Sequence, residues 1–566
     1  MEIVSNSNQT SPSTTMADPP KPQFTLEVVD QDIKPKDEAV HEHIEGNALL
    51  LDREGRIRRL PIPSHDPNDP LNFRTWEKTA VIVCCCWFSL LSLALAGGLG
   101  PFLSVFFEIY LPQGYDADHV TFLLTIPNLC IGLGNYIVLP LSLAFGRRPV
   151  FLASSVVLLV ATIGSAVQSD YNSHLATRTI QGLATGASES LLPLMLTEVT
   201  FLHQRGRVFG LYWMAQSIFS GILNLSGSYI NSALGWRWYY WIFAIATGVG
   251  VVLNFFCAFE TRFSRPATSV DGVVIVTDEF GVTHFLSDDE AQDRLDESGT
   301  RLAEPDAADT SERRKTYLEK LRPWSQPHAQ KLRMIWMSWV RMVQCLTSPA
   351  ILYVVLIASI TLGCVVDMSL TYDAVLQAKG WEPKYIGLIN LGSVVGAVIG
   401  AIYSTLVGDR FVIWMAKRNH GIHKPEHRLI VLVMPALLGM AMLLVYGFTS
   451  SSHHASWWGP VLAYTFYSAA WVSVLIVSTT FASEAAPKHP GPALVMVVGT
   501  KNIVSFGFTY GLTPLVNKGG YSYAFGVLAG VFGACFILGA PVYVLNPKWR
   551  AYTGRLERRH GVISTD

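Results

Sequence analysis

Four charged residues stand where the chain is otherwise apolar: Arg178 and Glu189 in RTIQGLATGASE at 178–189, Asp367, and Lys501. An ionised group in a bilayer core is costly and normally faces a water-filled cavity or a partner. On a helix, Arg178 and Glu189 fall within about 20° of each other and roughly 16 Å apart along the axis. Gly182 and Gly186 lie close to the same stripe, so one face is expected to be small and charged. Glu189 and Asp367 each admit two readings. Either could pair with an arginine or lysine across a bundle, or take up and release a proton as its exposure changes. Lys501 could be a counter-charge, an anchor or a ligand for an anionic group. Arg178 could also be a terminal residue snorkelling to the outer interface. Gln181 and Asn128 could hydrogen-bond a substrate or simply join helices. Tyr467 and Trp471, in FYSAAWVSV at 466–474, could line a cavity for a largely apolar molecule or merely pack.

Arg147 and Arg148 follow a glycine in FGRRPV at 145–150. At a tight turn such a pair can bond the carbonyl ends of neighbouring helices or the acids on them, a latch able to hold one conformation and break in another. Positive charge anchoring the turn on the cytoplasmic side is the simpler reading. VGDRFV at 407–412 repeats the pattern, so Asp409 and Arg410 could play the matching part. No Walker loop and no hydrolytic or redox constellation is present, and AGGLG at 96–100 ends an apolar run instead of opening a helix after a strand. HHASWW at 453–458 reads as a surface loop. The eight cysteines, CCC at 84–86 included, read as small hydrophobes in or beside apolar stretches, with no disulfide framework. No cofactor and no metal is expected, and no basic domain points to nucleic acid.

Membrane-crossing helices must position these residues. Half of the 566 residues are hydrophobic and only 15% are charged, against about 25% charged in soluble domains. Apolar stretches, each long enough to cross about 30 Å of hydrocarbon, recur at 79–99, 119–143, 149–167, 178–199, 208–230, 236–258, 349–370, 385–407, 429–447, 456–479, 493–515 and 521–544. The expected fold class is therefore an all-α polytopic membrane protein with 12 transmembrane helices. The polar stretch between the sixth and seventh divides them six and six. Its first part is acidic, and its basic part, SERRKTYLEKLRPW at 311–324, is expected to form an amphipathic helix along the membrane surface. Lysine and arginine gather after spans two, four, eight and twelve, whereas 110–118 and 448–455 contain neither. The positive-inside rule then places both termini and the central loop in the cytoplasm. The expected organisation is a polar N-terminal tail over 1–76, a bundle over 77–259, a loop over 260–345, a second bundle over 346–545 and a tail over 546–566. No cleaved signal peptide is expected, and Asn8 is a poor glycosylation candidate on that side.

NDPLNFRTWEK at 68–78, FGRRPVF at 145–151, RTIQG at 178–182, RGRVFGLYW at 205–213, LGWRWYYWIF at 234–243, KPEHRL at 424–429 and TKNIVSFGF at 500–508 occur in this order. Together they make the chain resemble the major facilitator superfamily, and within it the fungal twelve-span drug:proton antiporter-like transporters, over roughly 68–550. The resemblance implies two six-helix bundles that rock about a central site, without a cofactor. It also implies protons as the coupling ion and export of a small organic compound (a drug, toxin or secondary metabolite) across the cell membrane. It gives Arg178 a role in proton coupling. Two departures stand out. The acid usual before the Gly-Arg-Arg turn is replaced by Leu143-Ala144-Phe145, and SIFSGILNLSGSYI at 217–230 has no proline where antiporters of the group have a Gly-Pro motif. Proton-coupled uptake of a nutrient or metabolite and a non-transporting membrane sensor are the alternatives. Membrane lipid is the remaining partner.

Overall fold

Every candidate side chain of the sequence falls on a helix. The computed structural model describes residues 64, 66–263, 268–270, 273–277, 283–287, 313–324, 331–418, 426–452, 456–485 and 490–559. All of these lie in one unit, Glu45–Asp566. Helix α1 (Thr75–Gly97) runs through a 3-10 turn into α2 (Leu103–Tyr110). Then come α3 (Ala117–Phe145), α4 (Arg147–Val167), α5 (Tyr171–Val199), α6 (Leu202–Leu234) and α7 (Trp236–Cys257). The central loop carries a small antiparallel sheet of β1 (Thr268–Val270), β2 (Val273–Thr277) and β3 (Thr283–Ser287), in that order. Thr268 pairs with Ile275, and Val273 with Ser287. A single turn, α8 (Tyr317–Lys320), and α9 (Lys331–Cys345) lead out of it. The remaining helices are α10 (Pro349–Ala378), α11 (Ile389–Ile402), α12 (Asp409–Arg418), α13 (His427–Val431), α14 (Val433–Ser451), α15 (Trp458–Ala485), α16 (Pro490–Tyr510), α17 (Leu512–Ile537) and α18 (Gly539–Arg559).

Among the described residues, ten helical stretches are long and apolar enough to cross a membrane. The first is continuous over Thr75–Gln113, so the span expected at 79–99 does run on through PFLSVFFEIY. The spans expected at 178–199 and 208–230 are the long helices α5 and α6, but neither is among the ten. Ser, Thr, Gly and Gln interrupt their apolar runs, and in α5 these polar groups are buried against other helices instead of lipid. One expectation for the central loop needs correction. Within the described residues 313–324 there is no amphipathic helix: only the turn α8 forms there, because Pro323 stops it. The strongly amphipathic helix is α9, directly before α10.

Glycine decides how closely the central helices approach. Gly146, at φ +102°, turns the chain from α3 to α4. A Cβ on Gly186 of α5 would lie 2.6 Å from the carbonyl carbon of Gly134 in α3, so the two backbones touch with no side chain between them. The helices before the central loop meet those after it at two levels. At mid-helix, beside the candidate site, the Tyr136 hydroxyl of α3 bonds the Thr500 hydroxyl of α16. At the end away from the central loop, the Ser104 N–H of α2 donates to Asp373 of α10 at 2.9 Å, and the Gly387 N–H donates to Ser228 of α6 at 3.1 Å.

Candidate functional site

Glu189 and Lys501 meet. The Lys501 ammonium on α16 donates to Glu189 Oε1 on α5 at 2.8 Å, and both side chains are buried. The second carboxylate oxygen accepts from Asn502 Nδ2 at 2.7 Å and from Asn135 Nδ2 on α3 at 3.4 Å. Lys501 also donates to Asn502 Oδ1 at 3.3 Å and stands 5.9 Å from the centroid of the Trp471 ring. Three N–H donors thus converge on one carboxylate, which offsets part of its desolvation. Asn135 and Asn502 went unnoticed in the sequence. The signal available was weak: an amide beside Lys501, and a second amide on a helix whose register against α5 cannot be read from spacing.

Arg178 neither snorkels nor meets Glu189. Its guanidinium is fully buried and donates to the carbonyls of Leu95 at 2.7 Å, Ala96 at 2.6 Å and Leu123 at 3.0 Å, and to Gln181 Oε1 at 3.1 Å. Leu95 and Ala96 lie in the last turn of α1, where carbonyls have no partner within the helix and the helix dipole is negative. Arg178 therefore caps α1 from across the bundle. Gln181 extends the contact to α4, donating to Ser165 Oγ at 2.9 Å and the Ala161 carbonyl at 3.3 Å. Asn128 turns back on its own helix, donating to the Leu124 carbonyl at 3.4 Å.

Asp367 is fully buried on α10, and neither of its carboxylate oxygens finds a hydrogen-bond partner among the described residues. No bond joins it to Glu189, Lys501 or Arg178. It lies within electrostatic reach of Cys364 and Tyr467. The Tyr467 hydroxyl donates to the Thr361 carbonyl at 3.0 Å, so its ring packs in a core with its polar tip already used. Trp471 is half-buried and is the aromatic that borders the ion pair.

The Gly-Arg-Arg turn bonds both acids and helix ends. Arg147 donates through Nε to Glu198 Oε1 at 2.9 Å and forms a second contact to that oxygen at 2.7 Å. The backbone N–H groups of Arg147 and Arg148 donate to Glu260 at 3.0 and 3.3 Å, which closes the start of α4. The Arg148 guanidinium takes the carbonyls of Ala258 and Phe255 at the end of α7, and that of Leu321 in the linker at 3.1 Å. The acid missing before the turn is thus supplied from elsewhere, by Glu198 and Glu260. Glu198 lies nine residues beyond Glu189, about 180° round the helix, and so serves a different neighbour. Leu321 belongs to a strap, 313–324, that lies against the start of α1: Lys320 and Arg314 reach Glu77 at 2.8 and 3.2 Å. The Lys315 N–H donates to Asn68 at 2.9 Å, and the Tyr317 hydroxyl to the Phe256 carbonyl at 2.9 Å. In the second repeat, Asp409 and Arg410 begin α12; Arg410 is exposed, and the Asp409 side chain lies outside what is described. His453 and His454 also lie outside the described residues.

The comparisons agree with this architecture. An MFS-type transporter of Schizosaccharomyces pombe is 26% identical over 541 residues, covering 89% of this chain and 90% of its own. The efflux pump radE of Floropilus chiversii is 23% identical over 459 residues, covering 79% of this chain and 77% of its own. Among solved structures, the proton:xylose symporter XylE of E. coli shares the fold with a TM-score of 0.55 at 14% identity, over 83% of this chain and 96% of its own. Their names describe a transporter, an efflux pump and a symporter. The family model described as Major Facilitator Superfamily matches residues 82–506, and a multi-pass membrane protein carrying this fold, with that match across most of its length, belongs to that superfamily of transporters.

Proposed function

We propose that the chain is a proton-coupled secondary transporter that exports a small organic compound, such as a drug, toxin or secondary metabolite, across the cell membrane. The observation that carries the reading is the buried Glu189–Lys501 pair, because it joins a helix before the central loop to one after it. In this reading α5 and α6 are the fourth and fifth spans, which completes twelve. Residues 77–259 and 346–545 form two six-helix bundles, and the 260–345 loop and both tails are cytoplasmic. Separating the bundles at the centre breaks the pair. A proton on Glu189 neutralises the carboxylate and frees Lys501, so protonation and opening become one event. Asp367 is the second acid available for a proton, since a lone carboxylate buried there must find a proton or a cation. Arg178 acts through geometry: it holds α1 on α5, so the two move together. Arg147 and Arg148, with Asp409 and Arg410 in the second bundle, hold the cytoplasmic ends.

Export is favoured because a curated relative is described as an efflux pump. One observation keeps uptake as the second reading: α6 has no proline in 217–230. Flux of a broad mixture of metabolites and drugs in proteoliposomes, under an imposed pH gradient and with Glu189→Gln alongside, tests both. Gradient-driven flux that the substitution abolishes supports proton coupling at Glu189, and its sign separates export from uptake. Flux indifferent to the gradient overturns the coupling.

A further inference from the structure

Helix α9 has two unlike faces. Ser338, Met342 and Cys345 are buried. Met342 packs with Leu139 and Leu143 of α3 and with Val495 and Met496 of α16, and the Trp339 indole donates to the Tyr136 carbonyl at 2.8 Å. One face of α9 therefore lies across the α3–α16 contact. The other carries Leu332, Trp336, Trp339 and Val343, at 83%, 63%, 41% and 63% exposure. Their spacing of i, i+4, i+7 and i+11 brings them within about 60° of one another on a helix. Four large apolar groups in one stripe make a poor surface for water. The sequence KLRMIWMSWVRMVQC adds Lys331, Arg333 and Arg341 and no acid. Tryptophan and aliphatic groups in a stripe, on a helix whose only charged residues are cations, suit a helix lying in the interface of an anionic bilayer. A protein partner would have to bring its own acidic and apolar surface; the membrane of a multi-pass protein supplies both.

We propose that α9 lies in the headgroup layer, with Leu332, Trp336 and Val343 among the upper acyl chains and its cations on anionic lipid. Lipid held there sets how firmly α3 closes on α16. This last step rests on the transporter reading above, in which the two bundles part, and takes the α3–α16 contact as a gate between them. The experiment uses the full chain in phosphatidylcholine vesicles with and without phosphatidylserine, each with bromine on the upper acyl chain. The emission lost on Trp336→Phe gives the Trp336 signal. That signal is expected to be quenched by bromine and shielded from acrylamide. Quenching by brominated phosphatidylserine is expected to exceed that by brominated phosphatidylcholine, and Lys331→Gln with Arg341→Gln should reduce the preference by about fivefold or more. A Trp336 signal quenched by acrylamide and not by bromine overturns the placement. Equal quenching by the two lipids overturns the anionic preference. Transport that responds to phosphatidylserine in the parent and not in the double variant supports the link to the gate, and a parent indifferent to it overturns that link. Lack of transport in every vesicle counts against the carrier reading, while the fluorescence still decides the placement.

Discussion

The ammonium of Lys501 and the carboxylate of Glu189 lie 2.8 Å apart in a part of the protein that admits almost no solvent to either. Breaking a buried pair from one side leaves an uncompensated charge and costs about 3–5 kcal/mol, whereas replacing both partners by apolar groups is often neutral. Lys501→Leu alone is therefore expected to lower thermal stability in detergent more than Glu189→Leu with Lys501→Leu together. A double variant no more stable than the single one would show that the ion pair is not the main contribution of these residues.

Arg178→Ala should cost folded protein as well as activity. It strips donors from three buried carbonyls, each worth about 1–3 kcal/mol when left unsatisfied. Arg178→Lys keeps the charge but not the planar fork, and should recover only part of the yield of monodisperse protein in size-exclusion chromatography. If Arg178→Ala folds with unchanged stability and loses only its response to a pH gradient, the residue acts directly on protons and not through α1.

The α3–α5 seam tolerates no added side chain. Gly186→Ala places a methyl against backbone of α3, which cannot swing aside as a side chain can, and overpacking of this kind costs about 1–3 kcal/mol. Gly507→Ala, where a Cβ meets nothing within 4 Å, is the control on α16. The melting temperature should fall for the first and hold for the second.

The strap is expected to leave its seat when Glu77 loses its charge. Glu77→Gln removes the partner of both Lys320 and Arg314, and limited trypsin digestion should then cut within 313–324 several-fold faster at unchanged overall stability. Cleavage at the parent rate would mean that the Arg148 contact to Leu321 and the Tyr317 contact to Phe256 hold the strap without Glu77.

How much of this could be read beforehand depends on range. The helical membrane fold was legible because apolar stretches and their breaks are local properties. Glu189 and Lys501 could be singled out because a charge in an apolar run is conspicuous, and the turn arginines because glycine and charge mark a tight turn. What each charge would meet was not legible. Glu189 and Arg178 share a helix and nearly a face, yet one binds α16 and the other α1; only the packing of four helices decides that. Glu198 and Glu260 escaped notice because each lies near a helix end, where an acid is unremarkable. The loop misled for a different reason: 311–324 and 331–345 are both basic, but only the second has its apolar residues at helical spacing over enough turns, without an interrupting proline.

The contact of Arg178 with Leu95 joins residues 83 positions apart in the chain, and this sets an order on biosynthesis. Helix α1 leaves the ribosome with its last carbonyls unmet, and they stay so until α5 has been made. At about 5–20 residues per second that wait is roughly 4–17 s. A chain stopped between the two helices carries an exposed polar end on its first apolar segment, and a complete one does not. Arrival of the fifth helix is thus the moment at which the first is finished.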